Sequence, residues 1–277
     1  MATRARPPDL PDFARPPVTE VALSIQFARL PKVTNIHGGI LWSEFRANYP
    51  NSEEHAPLAP AFEIFGPNPV AGHQLEFFAG APLTRYWYVR KDGSSLLQFQ
   101  PDRLVHNWRK QAPEDEYPRY ELIKAEFEKE FRIFERFLTA GDLGEVKPNQ
   151  CEVIYINHIE MPDGSDPRNS PQRVLAFWGD KVISDGLPTM EDVAVQLRFP
   201  LGDEGKHIGR LYAQVGPVLR RKDLKPLLQL TLTARGRPQS ESVEAAFDFL
   251  DFGRKAIVRG FKALTKPEMH ETWGMKA

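Results

Sequence analysis

Cysteine is almost missing from this chain: Cys151 is the one thiol in 277 residues. A lone thiol excludes an internal disulfide and any multi-thiolate zinc centre, and it fits a reducing compartment. An excess of charge of either sign is missing too. The 36 lysines and arginines stand against 37 aspartates and glutamates, a formal net charge of −1. No global field therefore recruits nucleic acid or a membrane, and any such partner must be held by a local patch. The longest stretch without a charged residue runs from Ile64 to Leu75, short of the roughly 18 apolar residues of a membrane helix. The opening MATRARPPDL has no apolar signal core. These absences lead us to expect a cytoplasmic protein with no membrane partner.

What is present is material for an ordinary core, 41% hydrophobic and 11% aromatic residues, in a length that suits one large domain or two intimate ones. The 25 prolines punctuate it. Five of them (Pro7, Pro8, Pro11, Pro16 and Pro17) fall in the first 17 residues, which read as an extended or disordered arm. Two proline-free windows, 119 to 147 and 239 to 266, each accommodate a helix of five turns. In the first, Tyr120, Ile123, Phe127, Phe131, Phe134 and Leu138 recur at helical spacing, with Lys124, Glu128, Lys129, Arg132 and Arg136 opposite. The second opens with Ser240 as a candidate N-cap and runs from acids to bases, in the sense that suits the helix dipole.

Alternation supplies the strands. Residues 18 to 28 read as a half-buried strand with Val21, Leu23, Ile25 and Phe27 on one face, followed by a helix capped by Asn35 whose apolar face is Ile36, Ile40, Leu41 and Phe45. After Pro50 a proline-rich loop is expected. RYWYVRK (85 to 91), the Asp92-Gly93 turn and SLLQFQ (95 to 100) form a hairpin, extended by RLVHNWRK (103 to 110). Segments 151 to 159, 191 to 199, 207 to 215 and 227 to 235 complete the strands, with a short irregular or helical piece around Val174 to Trp178. The expected class is α+β, mostly antiparallel sheet with two long helices, in which two halves share a β-α-βββ-α order. The corresponding divisions are a Pro-rich arm at 1–17, a first α+β half at 18–147 and a second at 148–277, joined in one compact unit.

The stretches PPVTEVALSIQF (16 to 27), LWSEFRANYP (41 to 50), LLQFQPDRLVHNWRK (96 to 110), YPRYELIKAEF (117 to 127), PNQCEVIYINHI (148 to 159) and FDFLDFGRKAIVRGF with the terminal TWG (247 to 274) resemble a sporadically distributed, functionally uncharacterised bacterial protein family. The resemblance spans nearly the whole chain. It implies bacterial origin and horizontal mobility, of the kind found in mobile or defence-associated loci, and it brings no catalytic residues.

The motifs of chemistry are sparse. Seven histidines (His37, His55, His73, His106, His158, His207 and His270) are scattered, none within five residues of another, so no helical zinc pair exists and no metal is expected. His106 and His158 sit in expected strands, beside Asn107 and Asn157, and are the pair for tertiary structure to bring together. Cys151 and His158 lie an odd number of residues apart on one strand, so they point to opposite faces, and Cys151 reads as a buried, inert thiol. There is no GxSxG elbow, with Ser94-Ser95 belonging to a turn, and no phosphate-cradling glycine loop, so no cofactor is expected.

Two surfaces remain. Arg85, Trp87, Arg90, His106, Trp108 and Arg109 gather aromatic and basic residues on adjacent strands, a pattern able to stack bases and hold phosphates, although alternation must send half of them into the core. On the C-terminal helix, Phe249, Phe252 and Ala256 form a second apolar strip, and Gly253 and Gly260 suggest a closely approaching backbone, which together mark a candidate interface. The leading expectation is a non-catalytic protein-interaction component, self-associating or binding another protein. A nucleic-acid or nucleotide binder is the alternative, and an enzyme with an unrecognised site the third reading.

Overall fold

A computed structural model describes residues 9–65, 83–179, 187–188 and 190–276. His73, Pro7, Pro8 and most of the uncharged stretch Ile64 to Leu75 lie outside the described residues. The elements in chain order are β1 (Val18–Phe27), α1 (Asn35–Phe45), β2 (Asn51–His55), β3 (Arg85–Val89), β4 (Ser95–Gln100), β5 (Arg103–Arg109), α2 (Tyr120–Ala140), β6 (Pro148–Ile159), β7 (Val195–Asp203), β8 (Lys206–Leu219), β9 (Pro226–Gly236), α3 (Val243–Leu264) and α4 (Pro267–Thr272). The class is α+β. All nine strands join one antiparallel sheet in the order β2-β3-β4-β5-β1-β6-β9-β8-β7.

Alternation sorts every strand into two faces. One row of the register, Tyr88, Leu97, His106, Leu23, Val153, Ala234 and Leu211, faces the helices. The next, Glu53, Trp87, Gln98, Val105, Ser24, Glu152, Arg235 and Arg210, faces away from them. The main apolar cluster lies between sheet and helices, and Ala22, Leu96 and Val105 are buried on the other face. Phe127 and Phe131 of α2 meet Phe247 of α3 edge-on at 5.5 and 5.7 Å, which ties the two long helices together over the sheet.

Several expectations need correction. β1 is central and covered on both faces, since Ala22 and Gln26 are buried along with Val21, Leu23, Ile25 and Phe27. In α1 the buried side is Gly38, Leu41 and Phe45, while Ile36 and Ile40 are exposed; the absence of a Cβ at Gly38 lets the Tyr86 ring approach and turns the helix away from its bulkier stripe. Thr34, not Asn35, is its N-cap, and the Asn35 side chain instead accepts the Thr84 N–H at 3.1 Å. β2, expected as loop, is an outer strand whose NSEEH sequence offers no apolar alternation to read. β7 begins at Val195 and contains Pro200, tolerated because β7 is the other outer strand. The irregular piece is a single turn at Pro171–Arg173 with a bridge from Leu175 to Thr265. The N-cap of α3 is Ser242, whose hydroxyl accepts the Ala245 N–H at 3.1 Å, rather than Ser240.

The arm is pinned over the residues described. Phe13 is buried and bridges Met275, and the N–H groups of Ala14 and Arg15 reach the carbonyls of Gly274 and Trp273, each at 2.9 Å. No helix among the described residues is long and apolar enough to cross a membrane.

Candidate functional site on the helix-free sheet face

Among the described residues no second layer of helix or sheet covers the face away from the helices, yet its central side chains include the buried polar groups Gln26, Gln98, Gln100, Arg103, Asn107 and Gln150. A buried polar side chain must find partners or lose free energy. Many of these partners come from the segment that follows β2, which leaves the edge of the sheet and runs across the strands. Gln100 on β4 accepts the Leu58 N–H at 3.0 Å and donates to the Leu58 carbonyl at 2.9 Å, a two-point contact of the kind one strand makes with another. Arg103 on β5 donates to the Ala59 carbonyl at 2.9 Å, and Gln26 on β1 accepts the Ala61 N–H at 3.0 Å. Arg103 also donates to Gln26 at 2.9 Å, so the two are fixed relative to each other.

The segment ends on the second half of the sheet. Glu63, only 4% exposed, is held by Arg210 at 2.6 Å and by the Tyr212 hydroxyl at 2.8 and 2.9 Å, with Arg235 at 3.8 Å. Arg210 also donates to the Ile64 carbonyl at 2.7 Å and lies 4.3 Å over the Phe65 ring. Burial and then the neighbouring Glu63 carboxylate hold the Tyr212 hydroxyl above its usual range, so it remains a donor. Two charge-assisted donors converging on one carboxylate make this the strongest single fastening on the face. The side chains of Leu58, Phe62 and Ile64 stay exposed, so the segment is held by its main chain and one acid, not by apolar pockets.

The expected platform is divided by the sheet. Arg85, Trp87 and Arg109 share the helix-free face: the two guanidiniums lie 5.4 and 5.9 Å from the Trp87 ring, and His55 stacks on it at 3.9 Å. The Trp87 indole N–H is buried with no hydrogen-bond partner among the described residues. Arg90, His106 and Trp108 lie on the helix side, where Arg90 pairs with Glu126, His106 with Glu130, and the buried Trp108 packs on Tyr117 at 5.4 Å. They are removed from any platform. His106 and His158 are on opposite faces and do not meet, and His158 pairs instead with Gln229 at 3.1 Å. Cys151 is buried, and burial alone pushes its thiol well above the usual range. Among the described residues no group of three or more metal-ligating side chains converges.

One constellation was not anticipated. The Ser95 hydroxyl lies 3.3 Å from His106 Nε2, His106 Nδ1 lies 2.7 Å from Glu130, and Tyr49 donates to the other Glu130 oxygen. Nucleophile, base and orienting acid stand in the order of a hydrolytic triad. Yet Ser95, His106 and Glu130 are 3%, 1% and 5% exposed, and the Ser95 hydroxyl also donates to the Asn107 carbonyl at 3.2 Å. Buried to this degree, the arrangement fastens α2 to β4 and β5. The sequence carried a signal for it: Glu130 falls on the apolar face of α2, where an acid requires a buried partner.

The interface strip is also altered. Phe249 is 4% exposed, packed where a Cβ on Gly236 would touch its ring, so it belongs to the core. Phe252 and Ala256 are half-buried. Gly253 and Gly260 are approached closely by Ala234, Val153 and Leu211 of the chain's own sheet, which explains these glycines without a partner. No protein-family model matches the chain, and no curated protein matches it.

Proposed function

We propose that the protein is a non-catalytic interaction component whose helix-free sheet face receives an extended, acid-bearing segment of a partner protein. The observation that carries this reading is the manner in which the face already holds residues 58–65: Gln100, Gln26 and Arg103 take main-chain groups, which any peptide offers, while Arg210, Tyr212 and Arg235 take one carboxylate. Main-chain contacts supply affinity without sequence preference, and the carboxylate clamp sets the register. The segment from β2 acts as the resident occupant that a partner displaces. The family resemblance supports a place in a mobile or defence-associated locus. A duplicated origin of the halves is supported by the sheet order, in which β1 and β6 lie side by side and each half continues outward through its last strand first.

The test uses a labelled peptide of residues 56–65, followed by fluorescence anisotropy. The Glu63→Ala protein, with its own segment loosened, is expected to bind the peptide, and adding Arg210→Ala is expected to weaken binding by roughly tenfold or more. If Glu63→Ala does not bind the peptide, the reading is wrong.

A second reading, nucleic-acid binding, is favoured by the Arg85-Trp87-Arg109 stack alone. It calls for binding of single-stranded oligonucleotides whose salt dependence flattens in Arg85→Ala/Arg109→Ala, with Trp87→Ala lowering affinity at unchanged salt slope.

A further inference from the structure

The opposite side of the sheet holds a small cavity of about 50 Å³ where the N-terminal arm, the sheet and α3 meet. Phe13 and Pro16 of the arm, Leu232 of β9, and Ile257 and Phe261 of α3 give it an apolar wall. A water molecule needs roughly 10–15 Å³ of such space, so the cavity accepts only a handful of heavy atoms, too few for a nucleotide or a sugar.

Its polar side is rich in donors and poor in acceptors. Arg254, which lines the cavity, is 3% exposed; one terminal nitrogen reaches Glu121 at 3.1 Å, while its Nε is buried with no hydrogen-bond partner among the described residues. Leaving such a donor unmatched is costly, and a charged donor more so. Tyr117 and Tyr155, also in the lining, have their hydroxyls 2.9 Å apart. One O–H is consumed in that contact and the other hydrogen is left to donate. Burial raises both phenols, reinforced at Tyr117 by its neighbour Tyr155 and, at Tyr155, outweighing the lowering by Tyr117 and Arg254, so both stay protonated. Asn157 donates its amide N–H to the Leu230 carbonyl at 3.0 Å, which leaves its amide oxygen as a single acceptor against the donors of the lining. The second arginine of the lining, Arg119, is used to close the site: it donates to Asp12 and to the Phe13 carbonyl, each at 3.1 Å, and so holds the arm down.

We propose that this cavity binds a short-chain monocarboxylate of the acetate to butyrate class, with its two oxygens taken by Arg254 and the Tyr117–Tyr155 pair and its alkyl end against Phe13, Ile257 and Phe261. A carboxylate supplies two acceptors to two unmatched donors, and its short chain matches both the apolar wall and the volume. Larger acids are excluded by size, and cations by the guanidinium. The site is independent of the helix-free face and stands or falls without it.

The experiment is isothermal titration of the full chain with sodium acetate, propionate and butyrate, against sodium chloride at equal ionic strength. Saturable binding of propionate with no chloride effect is expected. Tyr117→Phe, which keeps the ring and removes one hydroxyl, is expected to weaken it roughly tenfold, the loss of one hydrogen bond to a charged group. Val258→Trp, which fills the cavity from α3, is expected to abolish it, and Tyr117→Phe serves alone if that variant does not fold. Absence of saturable binding overturns the proposal, as does chloride binding of equal strength or carboxylate binding unchanged in Tyr117→Phe.

Discussion

His106 on β5 and Glu130 on α2 meet at 2.7 Å, Nδ1 to carboxylate, with both side chains almost wholly out of water. Burial alone pulls the imidazole down, but the carboxylates of Glu130 and Glu126 outweigh it and the net shift is upward. The folded state therefore holds the His106 proton more tightly than the unfolded chain, whose histidines titrate near about 6.5. Stability from this pair is complete below that value and is lost as pH rises through the higher folded value. The urea midpoint of the wild type is expected to fall between about pH 6 and about pH 9 by more than that of His106→Gln, and equal slopes would contradict the assignment.

Removing the acid is more damaging than removing the phenol. Glu130→Ala leaves the His106 ring and the Tyr49 hydroxyl without their partner and is expected to cost about 3–5 kcal/mol, whereas Tyr49→Phe is expected to cost about 1.5–3 kcal/mol. Chemical denaturation of both variants checks the order.

Neighbouring glycines in α1 should behave oppositely. A Cβ at Gly38 would lie 2.2 Å from the Tyr86 ring, so Gly38→Ala is expected to destabilise by about 1–3 kcal/mol. Among the described residues nothing lies within 4 Å of a Cβ at Gly39, and Gly39→Ala is expected to stabilise by about 0.5–1 kcal/mol through helix propensity. Thermal and urea unfolding of the pair decide it.

Phe249→Ala is expected to lower stability by about 3–5 kcal/mol without altering the mass seen by light scattering, since that ring is a core group. Ser242→Ala, at the start of the same helix, is expected to cost about 1 kcal/mol.

The strands and both long helices were legible because each buries a face whose period the chain repeats, as in Phe127, Phe131 and Phe134 or Val21, Leu23 and Ile25. Where burial did not set the pattern, reading failed. β2 is exposed at all but His55 and forms beside β3. Ile36 and Ile40 look like a core stripe, but a missing Cβ at Gly38 decided which side of α1 packs. The split of Arg85, Trp87 and Arg109 from Arg90, His106 and Trp108 followed from alternation alone. The capture of Leu58, Ala59 and Ala61 by Gln100, Arg103 and Gln26 did not, because glutamines and an arginine in a strand carry no mark of the distant main chain they will bind.

The pairing of the arm with the last described residues fixes an order of events during synthesis. Asp12 and Lys276 form an ion pair across 264 positions, so the arm leaves the ribosome long before its seat exists. At about 5–20 residues per second, it waits on the order of tens of seconds. During that interval the first half has β1 exposed along the edge that β6 will later occupy. A nascent chain of this protein thus presents, for a defined time, an unpaired central strand and an uncovered Phe13. Both are sites for a chaperone that binds extended apolar segments; the first is covered when β6 arrives, the second only when Trp273 to Lys276 follow.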